Sequence, residues 1–119
     1  MLRVSYEFYT SAYKGSRTEA EFNRLSAFAS AYIGEITLGR VPDDPDELED
    51  EDAALRVRLA FCAVVDTHGA QEASMGIASE TNDGISVSYI TDDALRRRSL
   101  YNAAAVYLGS TGLLYRGVI

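Results

Sequence analysis

The chain has 119 residues, of which 47% are hydrophobic, and this suffices for one modest core but not for two domains. Its 11 basic and 18 acidic residues give a net charge of −7, which argues against a protein that grips nucleic-acid phosphates. No apolar run approaches the roughly 18 residues of a membrane span and the N-terminus lacks a signal-peptide pattern, so a cytoplasmic protein without membrane contact is expected.

The N-terminal segment, residues 1–16, has an alternating pattern. Val4, Tyr6 and Phe8 fall on one side of an extended chain, and this period of two predicts a short strand or an extended arm. Aromatic side chains are enriched in protein interfaces, which makes the arm a candidate contact between subunits. The alternative is that the arm folds back on its own bundle. The candidate interface residues of the arm are Tyr6, Phe8, Tyr9 and Tyr13.

A first helix is predicted over residues 18–38. Thr18 and Glu21 have the spacing of a capping box, in which a hydroxyl and a carboxylate satisfy backbone donors at a helix start. Gly39 follows as a stop signal. Apolar residues recur at three- and four-residue steps between these signals, at Phe22, Leu25, Ala29, Tyr32, Ile33 and Ile36.

An acidic loop is predicted over residues 41–52, because Pro42 and Pro45 interrupt any helix there. Eight acids fall within ten positions, and without them the rest of the chain has a net charge of +1. The last acids favour the start of a second helix, predicted over residues 50–70. The eight acids are Asp43, Asp44, Asp46, Glu47, Glu49, Asp50, Glu51 and Asp52.

A β-hairpin is predicted over residues 77–90. Two short runs flank Asn82-Asp83-Gly84, and Asp-Gly supplies the positive φ angles of a tight turn. An isolated hairpin is marginal in water, so this one must pack on helices or pair with a neighbouring subunit. The apolar face of the hairpin, a further candidate interface, comprises Ile85, Val87 and Tyr89.

A third helix is predicted over residues 91–108, followed by an apolar C-terminal tail over residues 109–119. Chain ends that touch nothing tend to be polar, so the tail should be buried against something. The helix contains the basic cluster of the chain, whose three consecutive residues cover about 300 degrees and make no compact phosphate patch. Solvated faces and ion pairs are one interpretation, and an intersubunit contact with the acidic loop is the other. The cluster is Arg96, Arg97 and Arg98.

Together these elements predict a single mainly α domain over residues 1–119, a small bundle of three to four helices with one β-hairpin and an extended N-terminal arm. Chemistry-bearing residues are scarce. The single histidine, His68, lies six residues after the single cysteine, Cys62, and Cys62 has the apolar neighbours of a core residue. The acidic loop lacks the central glycine of an EF-hand. The sequence therefore predicts a protein that is not an enzyme and has no cofactor or metal site.

Three stretches together resemble the head-tail connector proteins of tailed bacteriophages and prophages. Residues 22–41, FNRLSAFASAYIGEITLGRV, resemble the first helix of that family, with its closing Thr-x-Gly-Arg. Residues 77–89, with IASE and GISVSY, are similar to the family's hairpin, and residues 111–118, TGLLYRGV, are similar to its C-terminal end.

The resemblance implies a structural protein of the virion neck, assembled in the host cytoplasm. It implies a ring of the protein on the portal, commonly of twelve subunits, that extends the DNA channel and offers a platform to a stopper or tail-completion protein. DNA would pass without being read, and the acidic loop is a candidate to line the lumen, where repulsion of phosphates prevents sticking.

The resemblance also makes the C-terminal tail the portal-docking element, while the hairpin and the arm would bridge neighbours by strand addition. Deleting residues 113–119 is then expected to abolish docking and leave the fold intact. The competing interpretation is a small acidic inhibitor or adaptor, such as a DNA mimic that binds a basic partner through residues 43–52. The docking residues of the tail are Leu113, Leu114, Tyr115, Arg116, Val118 and Ile119.

Overall fold

The computed structural model describes the backbone of residues 1–81 and 86–114, and the side chains of residues 1–73 and 94–114. These residues form four α-helices and one short 3₁₀ turn, which confirms the predicted mainly helical class. The helices are α1 (Tyr6–Ser11), α2 (Glu19–Ile36), α3 (Glu51–Thr81) and α4 (Ser86–Leu108), and the 3₁₀ turn is Pro45–Glu47.

The predicted β-hairpin over residues 77–90 is wrong, because the described part of the chain contains no β-strand. Residues 77–81 continue α3, residues 86–90 begin α4, and residues 82–85 lie outside the described part. Residues 70–80 consist largely of Ala, Gln, Glu and Met, which are strong helix formers, and adding residues to an existing helix is favourable. A glycine-containing turn signal also fits a boundary between helices as well as one between strands.

The predicted extended N-terminal arm is also wrong, because this segment contains α1. Ser5 is the N-cap of α1, and its Oγ accepts a hydrogen bond from the Phe8 backbone N–H at 3.0 Å. Tyr9 is fully buried, and its ring lies 4.9 Å from that of Phe22. The segment therefore folds back on its own bundle, because burying this aromatic face gains more than an isolated extended arm could.

Helix α2 begins and ends on the residues that the sequence marks. The Oγ1 of its N-cap, Thr18, accepts a hydrogen bond from the Glu21 backbone N–H at 3.3 Å. At the other end the buried Thr37 hydroxyl donates to the Ile33 carbonyl at 2.7 Å. Leu38 (φ +52°) and Gly39 (φ +71°) then adopt left-handed backbone, which ends the helix.

The core lies where α3 packs between α2 and α4. Helices α3 and α4 run antiparallel, since Gln71 Nε2 donates to the Arg96 carbonyl at 3.0 Å and Ser99 borders the same groove as Asp66 and Ala70. The Phe22 ring of α2 lies 6.1 Å from the Phe61 ring of α3. The buried apolar residues of α3 and α4 include Val57, Ala60, Phe61, Cys62, Val64, Val65, Leu100, Ala104 and Leu108.

Candidate functional site

A polar cluster joins the N-terminal segment to α3. The Tyr9 hydroxyl donates to Asp66 Oδ1 at 2.7 Å and accepts from the Arg17 backbone N–H at 3.1 Å. The Arg17 guanidinium donates to the same carboxylate from Nε at 3.2 Å, and to the Asp66 carbonyl at 3.2 Å. Burial, together with the bond to Asp66, raises the pKa of Tyr9 to about 12. We call Tyr9, Arg17 and Asp66 the N-terminal clasp.

Two residues of the N-terminal clasp, Tyr9 and Arg17, pack directly against the backbone of a glycine. A Cβ at Gly15 would lie 2.1 Å from Cζ of the Tyr9 ring, and a Cβ at Gly69 would lie 2.5 Å from Cζ of Arg17. Both distances are far below van der Waals contact. Gly15 therefore leaves room for the buried Tyr9 ring, whereas at Gly69 the contact is with the flexible end of Arg17, which can shift to make room for a Cβ.

Ion pairs extend from the N-terminal clasp across the surface. Arg17 contacts Glu21 at 3.5 Å, and Arg24 contacts Glu21 at 3.0 Å and Glu72 at 2.9 Å. The bond to Arg24 lowers the pKa of Glu72. Such half-exposed pairs contribute little individually, about 0 to 1 kcal/mol. A shallow open groove beside them is bordered by Ser16, Arg17, Thr18, Glu21 and Asp66, so its charges are already matched within the subunit.

The cysteine and the histidine lie in different surroundings. Cys62 is fully buried, and burial raises the pKa of its thiol to about 12. The His68 ring stacks on Phe28 with centroids 3.7 Å apart, and its Nε2 lies 3.5 Å from a Glu72 carboxylate oxygen. Within the described residues, no group of three His, Cys, Asp or Glu side chains is placed to hold a metal ion.

The first half of the acidic loop is fastened to the subunit. The Met1 ammonium lies 2.8 Å from Asp43 Oδ1. Arg58 of α3 lies 2.9 Å from Asp46 and 3.9 Å from Asp44, and Pro45 between them is buried. Three of the eight acids are therefore paired with two cations of the same chain, which leaves one negative charge among the three, and the loop has a fixed position at the start of α3.

The second half of the acidic loop points outward. Glu47, Glu49 and Glu51 are exposed, and none of them forms an ion pair with a described residue. Beside them Leu55 is 44% exposed. We call Glu47, Glu49 and Glu51 the acidic corner. An open groove adjoins it, bordered by Asp46, Leu48, Glu51, Ala54, Leu55 and Arg58.

The face of α4 that points away from the bundle is apolar and basic. Leu95 is 52% exposed, Val106 is 71% exposed, and Arg98 between them is exposed and forms no ion pair with a described residue. At 100° per residue these three lie opposite the buried residues of α4. We call Leu95, Arg98 and Val106 the outer face of α4. Arg96 and Arg97 of the predicted basic cluster engage other groups.

The structure divides the predicted docking tail. Leu114 is only 5% exposed and belongs to the core, and Leu113 packs against the core. The Gly112 carbonyl accepts from Arg40 Nη1 at 3.5 Å, which holds the start of the tail near the end of α2. The other predicted docking residues, Tyr115, Arg116, Val118 and Ile119, lie outside the described part.

The other predicted interface residues are placed as follows. The Tyr6 hydroxyl donates to the Arg17 carbonyl at 2.7 Å, the Tyr13 ring stacks on Tyr9 at 5.9 Å, and Phe8 packs against the core. The arm aromatics thus make contacts inside the subunit. The predicted hairpin residue Ile85 lies outside the described residues, as do the side chains of Val87 and Tyr89.

None of the helices in the described ranges is long and apolar enough to cross a membrane. In comparisons with known proteins, no family model, no curated protein and no solved structure matches the chain.

Proposed function

We propose that this protein is a structural subunit of a phage head-to-tail connector, which forms a ring on the portal and offers a platform to a stopper or tail-completion protein. The resemblance of residues 22–41 and 111–118 supports this proposal. Residues 77–89 do not support it, because their resemblance is to the family's hairpin and their described parts are helical. Strand addition between subunits is accordingly not part of the proposal.

The observation that carries the proposal is the burial of Leu114 directly before an apolar stretch of sequence. Leu114 is buried in the core, and the following residues, Tyr115 to Ile119, are mostly apolar. An apolar segment that is anchored at one end loses less conformational entropy on binding than a segment attached through a flexible linker. Residues 115–119 are therefore the portal-docking element, and Leu113 and Leu114 anchor it.

The negative charge suits a ring through which DNA passes. With a net charge of −7 per subunit, the protein repels phosphates and does not hold the passing DNA. Asp43, Asp44 and Asp46 add little to this repulsion, because two cations of the same chain pair with them and leave one net negative charge.

The proposal is tested by mixing the full-length protein with the portal protein of the same genome at high protein concentration and moderate salt. Negative-stain imaging and native mass spectrometry should show a ring of this protein on the portal. A full-length protein that leaves the portal bare would refute the proposal. Binding to a basic non-portal partner instead would favour the inhibitor alternative.

Two matched variants locate the docking element. The combined substitutions Tyr115→Ser, Val118→Ser and Ile119→Ser should abolish portal binding, because burial of apolar surface drives the contact, whereas Leu38→Ser, at an exposed apolar residue outside the tail, should leave it intact. Both variants should keep the circular dichroism spectrum and melting temperature of the natural protein. Portal binding by the triple variant would refute the role of the tail.

A further inference from the structure

We infer that the outer face of α4 on one copy of this chain docks into the groove at the acidic corner of a second copy. This contact specifies how neighbouring subunits of the proposed ring meet, and it rests on the proposed function for its biological setting. Its physical basis is contained in the surfaces of the chain itself.

The two surfaces are complementary in charge and in polarity. Glu51 borders a groove in which Leu55 is exposed, and Glu47 and Glu49 are the exposed chain neighbours of Leu48 on the same border. Asp46 and Arg58, which also border the groove, pair with each other at 2.9 Å. The outer face of α4 places Arg98 between two protruding apolar side chains. Leu95 lies one turn from Arg98, so it can enter the groove while the guanidinium reaches the carboxylates on its border. Arginine next to an apolar anchor is a common centre of binding energy in protein interfaces.

The two surfaces cannot meet within one subunit. The acidic corner lies at the start of α3, at Glu51, whereas the α4 residue Arg96 contacts Gln71 near the middle of α3. Twenty helical residues separate these two levels, which amounts to about 30 Å at 1.5 Å per residue. An arginine side chain spans only a fraction of that distance. Arg98 can therefore pair with the acidic corner of a different molecule but not with that of its own subunit.

A contact between two different surfaces is heterologous, so a pair of copies still has one free surface of each kind. Repetition of such a contact gives a closed ring or an open filament, and not an isolated dimer. The acidic corner and Arg98 lie at different places on the subunit, so charge attraction gives the contact between copies a defined direction.

The test is self-association of the full chain, without portal, measured by analytical ultracentrifugation at about 1 mM protein and about 0.01 M ionic strength, where screening is weak. Arg98→Glu should weaken association about tenfold or more, and so should the pair Glu47→Lys and Glu49→Lys. An equimolar mixture of the two variants should regain the natural affinity, because each reversed surface then meets a reversed partner.

Charge-matched controls separate this contact from general repulsion. Lys14→Glu changes the net charge as Arg98→Glu does, and Glu7→Lys with Glu35→Lys matches the acidic-corner pair; all three control positions are exposed. The controls should associate like the natural protein. The inference is overturned if the natural protein stays monomeric, if the controls weaken association equally, or if the mixture fails to regain it.

A cross-link gives the register directly. Arg98→Cys and Glu49→Cys variants, mixed under mild oxidation, should form a disulfide between them in preference to like pairs, while the buried Cys62 stays reduced. Only like pairs would overturn the inference. Failure of portal binding, by contrast, would refute the proposed function and leave the pairing of the two surfaces intact, so the two failures are distinguishable.

Discussion

Replacement of Gly15 by alanine tests whether the buried Tyr9 ring holds the N-terminal segment in place. The added Cβ would lie 2.1 to 2.5 Å from three ring atoms, so the ring must retreat by more than about 1 Å to reach van der Waals contact. The Tyr9 hydroxyl is held to Asp66 at 2.7 Å. If the ring moves by that distance, the hydrogen bond to Asp66 breaks. If the ring stays in place, the steric overlap with the new Cβ remains.

Either response is costly. Overpacking of a filled core costs about 1 to 3 kcal/mol, and loss of a hydrogen bond to a charged group costs about 1.5 to 3 kcal/mol. We expect Gly15→Ala to lower the free energy of unfolding by about 3 kcal/mol, out of the 5 to 15 kcal/mol of a typical small domain. For a domain of this size, the melting temperature should fall by roughly 12 °C.

The assay is urea denaturation followed by circular dichroism, with Gly34→Ala as the matched control. Gly34 lies within α2, and a Cβ there would meet nothing within 4 Å. Its replacement should raise the free energy of unfolding by about 0.5 to 1 kcal/mol, since alanine is the better helix former. If Gly15→Ala denatures at the same urea concentration as the natural protein, the reasoning about the N-terminal clasp is wrong.

Three further predictions concern single side chains. The pKa of Tyr9 is raised from 10.0 to about 12, so the contribution of this tyrosine to stability is constant below pH 10 and is lost between about pH 10 and 12; Tyr9→Phe should make the fall of stability in alkaline unfolding curves shallower. Leu114→Ala should cost about 2 to 5 kcal/mol in urea denaturation, because this side chain is buried in the core, and a loss under about 1 kcal/mol would contradict that burial. Cys62 should react with a thiol reagent only as fast as the protein unfolds, and rapid labelling of the native protein would show that the thiol is accessible.

Local signals in the sequence located half of the helix boundaries of the described residues: both ends of α2, the start of α3 and the end of α4. Thr18 with Glu21 marks the start of α2, Gly39 marks its end, and Pro42 and Pro45 mark the loop before α3. Each is a backbone effect decided within a few residues, so it can be recognised without knowledge of the fold. The Ser5 cap of α1 belongs to the same class, but the alternation of Tyr6 and Phe8 concealed it.

The remaining features depend on partners that are distant in the sequence. Whether residues 77–81 form a strand or extend a helix is decided by the continuity of α3 and not by their own alternation. The pairing of Tyr9 with Asp66 was missed because only the folded chain brings the two together, although a buried tyrosine does signal that its hydroxyl needs a partner. The outward direction of Leu95 and Val106 likewise follows from the packing of α4.

The separation of 57 residues between Tyr9 and Asp66 also has a consequence during synthesis. The ribosome produces the aromatic N-terminal segment first, and the helix that buries it emerges only several seconds later, at about 5 to 20 residues per second. During that interval the Tyr9 hydroxyl is without its partner on α3, Asp66. Nascent chains of this protein should therefore bind a ribosome-associated chaperone, and they should release it once α3 has emerged and Asp66 can pair with Tyr9.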